Sequence, residues 1–374
     1  MNRRFSTALF GILALLLSIL AGHQAQAQKG LRVTFFINGT LGDKSFFDSA
    51  ERGLERARTD FGIVLKSIEA GDDSTKWESG LQDAMADVKN YDLLVAQGGD
   101  LASFMVANAD KYPDKKFIYF DETLDFTKCK CANVYNVVYA QNESSYLGGV
   151  YAAAMLKYGN LSNAANKNTV GAVGGQDIPI IEDFIKGYTQ GAKSVDPNIN
   201  VLSTFIGGDN PWGDPAKGKE IANSLYDQGA DIVFGIAGGS GDGIIEAAKE
   251  RGKYTIGVDS DQALAYMSSD PKAATQILTS VLKNVDNSLY RALSLNAQGK
   301  LSYGKTETVG LAEGGVGLAI NDIYNKATPD KVKQIVAQAQ ADIISCKITV
   351  DTALTPRPCI PATLEPTMAA TTAQ

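Results

Sequence analysis

Short apolar runs alternate with helical patterns along most of the 374-residue chain. Leu31–Ile37, Asp92–Ala96, Lys116–Phe120, Thr169–Val173, Asn200–Ile206, Asp231–Ile236 and Tyr254–Val258 are rich in Val, Ile and Phe. Runs of this length and composition suit strands covered on both faces. Segments with 3.6-residue periodicity separate most of them, and strand–helix alternation predicts parallel sheets built from right-handed crossovers. From Lys44 to Phe61 the apolar residues Phe47, Ala50, Leu54, Ala57 and Phe61 form one buried helical stripe. Phe46 falls off that stripe in the first turn, beside Ser45 as the expected cap. A second helix is predicted from Asp214 and Pro215, with the stripe Ile221, Ala222, Leu225 and a stop at Gly229. Trp212 precedes that cap and belongs to a loop.

The first residues change the picture. Arg3 and Arg4 precede an apolar run from Ala8 to Gly22, and Ala25-Gln26-Ala27 follows. The run is too short to span a ~30 Å hydrocarbon core comfortably, so residues 1–27 read as a secretory signal peptide cut before Gln28. The remaining length suggests two domains. Loss of the two arginines takes the formal charge from −7 to −9, an acidic balance that argues against nucleic-acid partners. The one histidine, His23, falls in the removed segment. Ser-His-Asp catalysis, Cys-His catalysis and His-ligated metal sites are thereby excluded from the mature chain. Cys346 and Cys359 bracket a Pro-rich turn and are expected to pair in an oxidising compartment. Cys129 and Cys131 read as too close for an unstrained bridge, and pairing across the two groups stays open. No metal is expected. The Pro-, Ala- and Thr-rich residues 360–374 read as a disordered tail.

In open α/β sheets, ligands lie beyond the carboxyl ends of the strands. Asn38, Asp121, Trp212, the run Gly238-Gly239-Ser240-Gly241, Asp259 and Asp261 all follow predicted strands. Lys283 is placed in the first helical turn after the apolar run Ala274–Leu278. Singly, each residue has an ordinary structural role; Asp121, for instance, suits an N-cap. Together, the aromatics Phe46 and Trp212, the carboxylates and one ammonium suit a planar ring that carries hydroxyl or N–H donors. The spacing of Gly239, Gly241 and Asp259 imitates a dinucleotide fingerprint, but the third glycine, Gly243, comes one residue early. The run reads instead as a tight turn that lets backbone approach a ligand or the other lobe.

Six segments in order resemble one family, from about residue 31 to about residue 320. Gly42-Asp43-Lys44-Ser45-Phe46 is similar to G-D-x-S-F-N, and Gln141 to Gly149 to Q-N-E-x-S-[FY]-L-x-G. Phe184 to Gly191 is similar to F-x-x-G-[FY]-x-x-G, and Ala237 to Gly243 to A-G-G-T-G-x-G. Ile256 to Gln262 is similar to I-G-V-D-x-D-Q, and Leu278 to Lys283 to L-T-S-x-x-K. These are motifs of the basic membrane proteins, purine-nucleoside receptor-like binding proteins of ABC importers.

The resemblance implies a type I periplasmic binding protein: two Rossmann-like α/β lobes with parallel sheets, joined by three crossover strands, with the ligand in the cleft. It implies that Phe46 and Trp212 sandwich the base and that Asp121 takes hydrogen bonds from it. Asp259 and Lys283 would hold ribose hydroxyls, and the Gly238–Gly239 backbone would line the pocket. Asn38 completes the set. Ile37 stands where the family often has Asp, and Phe47 where it usually has Asn, which widens the expected ligand to a nucleobase, a flavin or another flat heteroaromatic. The expected division is 28–140 plus 264–305 for the N-terminal lobe and 141–263 plus 306–359 for the C-terminal lobe, with crossings near 140, 263 and 305. The expected protein is a periplasmic monomer without a cofactor. It is not an enzyme, and it delivers its ligand to the permease subunits of an ABC importer. The alternatives are an exported NAD-type oxidoreductase and a sensor that feeds a membrane receptor.

Overall fold

The protein is described by a computed structural model that covers residues 30–164 and 168–359. The predicted signal peptide and the tail at 360–374 lie outside the described residues. Two six-stranded sheets carry the fold. The first runs, from edge to edge, β11 (Lys305–Val309), β5 (Val134–Tyr139), β4 (Lys116–Phe120), β3 (Leu93–Gln97), β1 (Arg32–Ile37) and β2 (Val64–Glu69). All of its pairings are parallel. The second runs β12 (Val316–Leu318), β10 (Ile277–Lys283), β9 (Tyr254–Asp259), β8 (Ile232–Ile236), β6 (Thr169–Gly174) and β7 (Asn200–Phe205). Only β12 is antiparallel to its neighbour there.

The seven predicted strands are all present, with ends displaced by one residue at most. Central strands such as β3 and β8 are buried along their whole length. This is the condition that favours unbroken apolar runs over polar alternation. Helices cover both faces of each sheet, in the α/β arrangement expected.

The chain passes between the sheets three times. It leaves the first at Ala140, returns at Asn284 into the helix Val285–Ala297, and leaves again through Gly310–Gly315. The last two crossings differ from the expected 263 and 305. β10 pairs in parallel with β9, Val281 beside Val258, so the second sheet continues to Lys283. β11 pairs with β5, Lys305 beside Tyr135, so the first sheet continues to Val309. β11 is polar over Lys305–Thr308, and Thr279 and Ser280 interrupt the apolar run of β10, so neither strand announces its full extent by hydrophobicity.

Two disulfides are present. Cys346 is bridged to Cys359, with Cα atoms 5.8 Å apart. Cys129 is bridged to Cys131, contrary to the sequence expectation. Cys131 takes a left-handed backbone (φ +40°), and the two Cα atoms stand 5.3 Å apart, inside the range that a disulfide spans.

Beyond Val350 the chain forms a strap across the starts of the helices Gln141–Tyr158 and Pro179–Val195. Asn142 donates to the carbonyls of Val350 and Asp351, and Asp183 accepts from Thr352 and from the Ala353 amide. Arg357 then reaches Glu143 at 2.6 Å and Glu313 at 3.2 Å. Glu143 also accepts from the Leu311 amide, so the strap touches the first and third crossings together.

Candidate functional site

The site begins with a loop held by carboxylates. Asp43 accepts from the amides of Ser45, Phe47 and Asp48 at 2.9 to 3.1 Å. Asp48 returns the favour to the amides of Gly42 and Lys44. Asp43, not Ser45, therefore satisfies the amides at the start of the helix Phe46–Phe61. Burial pushes the Asp43 carboxyl up to about 6, against the pull of its three amide donors. The Ser45 hydroxyl is thereby free for another task. It donates to Asp259 Oδ2 at 2.7 Å, across to the second lobe.

The tight loop also sets two phenyl rings. Phe46 turns toward the first sheet and meets the Phe120 ring at 5.5 Å. Phe47 packs edge-on against Phe46 at 5.4 Å and covers Gly39. Phe47 is half-buried. The stripe that seals the helix is Ala50, Leu54 and Ala57, all buried.

Lys283 occupies the centre. It is the last residue of β10, where the sequence placed it in a helical turn. The apolar run continues two turns of the pleat further than its hydrophobicity suggests, because Thr279 and Ser280 are buried inside it. The ammonium donates to Asp121 Oδ1 at 2.6 Å, and the two side chains are only 5% and 14% exposed. Three rings surround it: Phe184 at 5.0 Å, Phe46 at 5.3 Å and Tyr139 at 5.9 Å. Such a cation is attracted by ring faces as well as by the carboxylate. Burial raises the Asp121 carboxyl, and Lys283 pulls it back. Asp259 behaves alike: burial raises it, while Lys283 and the Ser45 hydroxyl oppose. Asp121 and Asp259 both take left-handed backbone, at φ +73° and +61°. Asp tolerates that region better than most residues, though it still costs of order 1–3 kcal/mol.

Trp212 lies on the second lobe. Its carbonyl accepts from the Ser240 amide at 3.0 Å, and Ser240 Oγ donates to the Pro211 carbonyl. Its ring lies against Gly175 and Gly238; a Cβ on Gly175 would overlap it. Gly239 faces the Trp212 carbonyl. Gly243 lets the helix Gly241–Arg251 meet the Pro215 carbonyl. The glycine run thus serves internal close approach, and nothing in its packing favours a dinucleotide. Asp261 caps the short helix Gln262–Met267 and is not part of the central cluster.

The structure therefore gathers Phe46, Asp121, Asp259 and Lys283 into one contact network. It sets Trp212 with Gly238 and Gly239 at the carboxyl edge of the second sheet. Asn38 lies at the matching edge of the first sheet and accepts from Gln97 Nε2 at 2.7 Å. Sequence reasoning gave no role in the site to Asp43, Tyr139, Phe184 or Gln97, and read Ser45 only as a helix cap. It also missed further bonds between lobes, among them Lys44 to Asp242 at 2.6 Å, Arg52 to Ser260 at 2.8 Å and Ser260 Oγ to the Ser45 carbonyl at 2.8 Å. Ser45, Asp43 and Phe184 stood inside the motifs quoted above, which was the one available signal.

The carboxyl edges of two sheets face each other here with one buried cation, two buried carboxylates and several rings. Known proteins are similar to this chain in sequence and fold. The family described as "ABC transporter substrate-binding protein PnrA-like" matches residues 31–350. A nucleoside-binding protein of an ABC transporter, BmpA from Lactococcus lactis, is 33% identical over 327 residues, 83% of this chain and 86% of its own length. Basic membrane protein D of Borreliella burgdorferi is 29% identical over 331 residues, 85% of this chain and 89% of its own. An ABC transporter solute-binding protein from Aeropyrum pernix superimposes with a TM-score of 0.73 at 26% identity, over 86% of this chain and 93% of its own. One from Conexibacter woesei does so at 0.68 and 21% identity, over 87% and 99%, which speaks to fold alone. The architecture is that of the type I periplasmic binding proteins, and the chain belongs to the Bmp family, the PnrA-like substrate-binding proteins of ABC transporters.

Proposed function

We propose that the protein captures a purine nucleoside, or a related flat heteroaromatic such as a nucleobase or flavin, by closure of its two lobes. It then presents that cargo to the permease subunits of an ABC importer. Phe46 and Trp212 would hold the ring from opposite lobes. Asp259 and Lys283 would take ribose hydroxyls, Asp121 would take donors of the base, and the Gly238–Gly239 backbone and Asn38 would line the pocket. The observation that carries this reading is the buried ammonium of Lys283, 2.6 Å from Asp121 and ringed by Phe46, Tyr139 and Phe184. Charge buried so deeply between two lobes costs several kcal/mol per ion, and a polar ligand at the same place would supply the missing partners. The name of the Lactococcus relative points to the same ligand class.

Capture requires the lobes to hinge about Ala140, Asn284 and Gly310–Gly315. It requires no bond to be made or broken. Export by the segment 1–27 and action as a periplasmic monomer belong to the same proposal. A thermal-shift screen of the mature protein against nucleosides, nucleobases, flavins and sugars tests it. A ligand at 100 times its Kd adds about 2.7 kcal/mol. Trp212→Ala and Asp259→Ala should each remove most of that shift while the protein stays folded. Parent-like shifts in both variants would place the ligand elsewhere.

A further inference from the structure

Across three neighbouring strands, one row of side chains closes the first sheet beneath Phe46. β3 and β4 pair with Gln97 beside Phe120. β1 and β3 pair as far as Phe35 beside Val95, and the same register carried two places on would bring Ile37 beside Gln97. The row is therefore Ile37, Gln97, Phe120, on the face that carries Leu93, Val95 and Phe35. Phe46 lies on that face, with its ring 5.5 Å from Phe120. Ile37 and Gln97 are both fully buried.

Gln97 is the one polar member of this row. Its Nε2 donates to Asn38 Oδ1 at 2.7 Å. Its Oε1 is buried and accepts from no group among the described residues. A buried acceptor without a donor costs about 1–3 kcal/mol, and most such groups in folded proteins are satisfied. Directly beside it, Ile37 supplies no polar atom, and Phe47 turns an apolar edge to Phe46 and Gly39. The polar function at this end of the cleft therefore rests on Gln97 and on Asp121, the residue after Phe120. Both offer acceptor oxygens: an amide carbonyl in one case, a carboxylate already held by Lys283 in the other.

We infer that Gln97 is a specificity-determining residue of the cleft, and that its side-chain carbonyl accepts an N–H of the heteroaromatic ligand. This rests on the binding reading proposed above and names the chemistry it selects: a ring that carries an amino group or ring N–H at the edge facing the first sheet. A site built around a buried acceptor discriminates strongly against an analogue that lacks the donor. Adenosine, guanosine and inosine supply such donors on the base; purine riboside keeps the ring and the ribose and supplies none.

The test is calorimetric titration of the full mature protein and of Gln97→Leu with these four nucleosides. In the parent, the best-bound N–H-bearing nucleoside should exceed purine riboside by about tenfold or more. In Gln97→Leu that margin should collapse, with the affinity for purine riboside retained. Gln97→Glu keeps an acceptor and should keep the margin; it also serves should Gln97→Leu fail to fold. An unchanged margin in Gln97→Leu overturns the inference. So does an equal loss for all four ligands, which marks Gln97 as structural only. If the parent binds none of the four, the nucleoside reading itself fails, an outcome distinct from loss of the margin alone.

Discussion

The two lobes are built to one plan and finished differently. Their sheets have the same strand order, so β4 of the first corresponds to β9 of the second, and β5 to β10. At the ends of β4 and β9, the plan places the same solution twice: an aspartate with left-handed backbone, Asp121 and Asp259. At the ends of β5 and β10 the lobes diverge. β5 ends on Tyr139, whose ring faces the cation, and β10 ends on Lys283, which is the cation. The second lobe thus lends its ammonium across the gap to the carboxylate of the first, and the first lends the Ser45 hydroxyl to the carboxylate of the second. A fold repeated in its backbone becomes a joint through two exchanged side chains.

The comparison breaks most severely at Lys283. Lys283→Met leaves two buried carboxylates facing each other without a cation, and removal of one partner from a buried pair costs about 3–5 kcal/mol. Urea unfolding at neutral pH should show a loss of that order, and a loss below about 1 kcal/mol would mean that solvent already screens the pair. Asp121→Asn and Asp259→Asn then ask whether corresponding aspartates do corresponding work. Asp121→Asn strands the ammonium, whereas Asp259→Asn still offers the Ser45 hydroxyl a partner. The first should therefore destabilise by about 1–3 kcal/mol more than the second. Equal losses would show that the two positions are interchangeable.

The smallest effect is a slope. The Asp43 carboxyl is raised to about 6 from an ordinary value of 3.8. A raised carboxyl binds its proton more tightly when folded, so its contribution is complete below about 3.8 and is lost as pH rises through about 6. Parent melting temperature should fall across that window relative to Asp43→Asn, which has no proton to lose there. Parallel curves for the two proteins would remove Asp43 as the cause.

Most of the frame was legible because central strands are apolar on both faces. β2 was not, because it is an edge strand with Val64 57% exposed and polar residues between. β5 hid its nature behind Asn136, which is fully buried and whose amide serves the Tyr119 and Glu122 carbonyls. β11, Lys-Thr-Glu-Thr-Val, has almost no hydrophobic signal at all, and its omission displaced the third crossing. In the site, Asp121 and Asp259 were readable because strand ends point to one edge, whereas Phe46 was set apart as lying off a helix stripe and Lys283 was misplaced in a helical turn. The exchange between lobes was not readable. It depends on which residue caps the helix at Phe46, and Asp43 and Ser45 are both good caps by composition.

The strap that follows Val350 has a mechanical consequence. The family match runs to residue 350, and the next nine residues run on to the Cys346–Cys359 staple and carry the guanidinium that joins Glu143 to Glu313. Those two glutamates sit beside the first and third crossings between the sheets. On the capture reading proposed above, opening would have to strain or break the Arg357 links, which would tie lobe movement to a segment that lies past the family match.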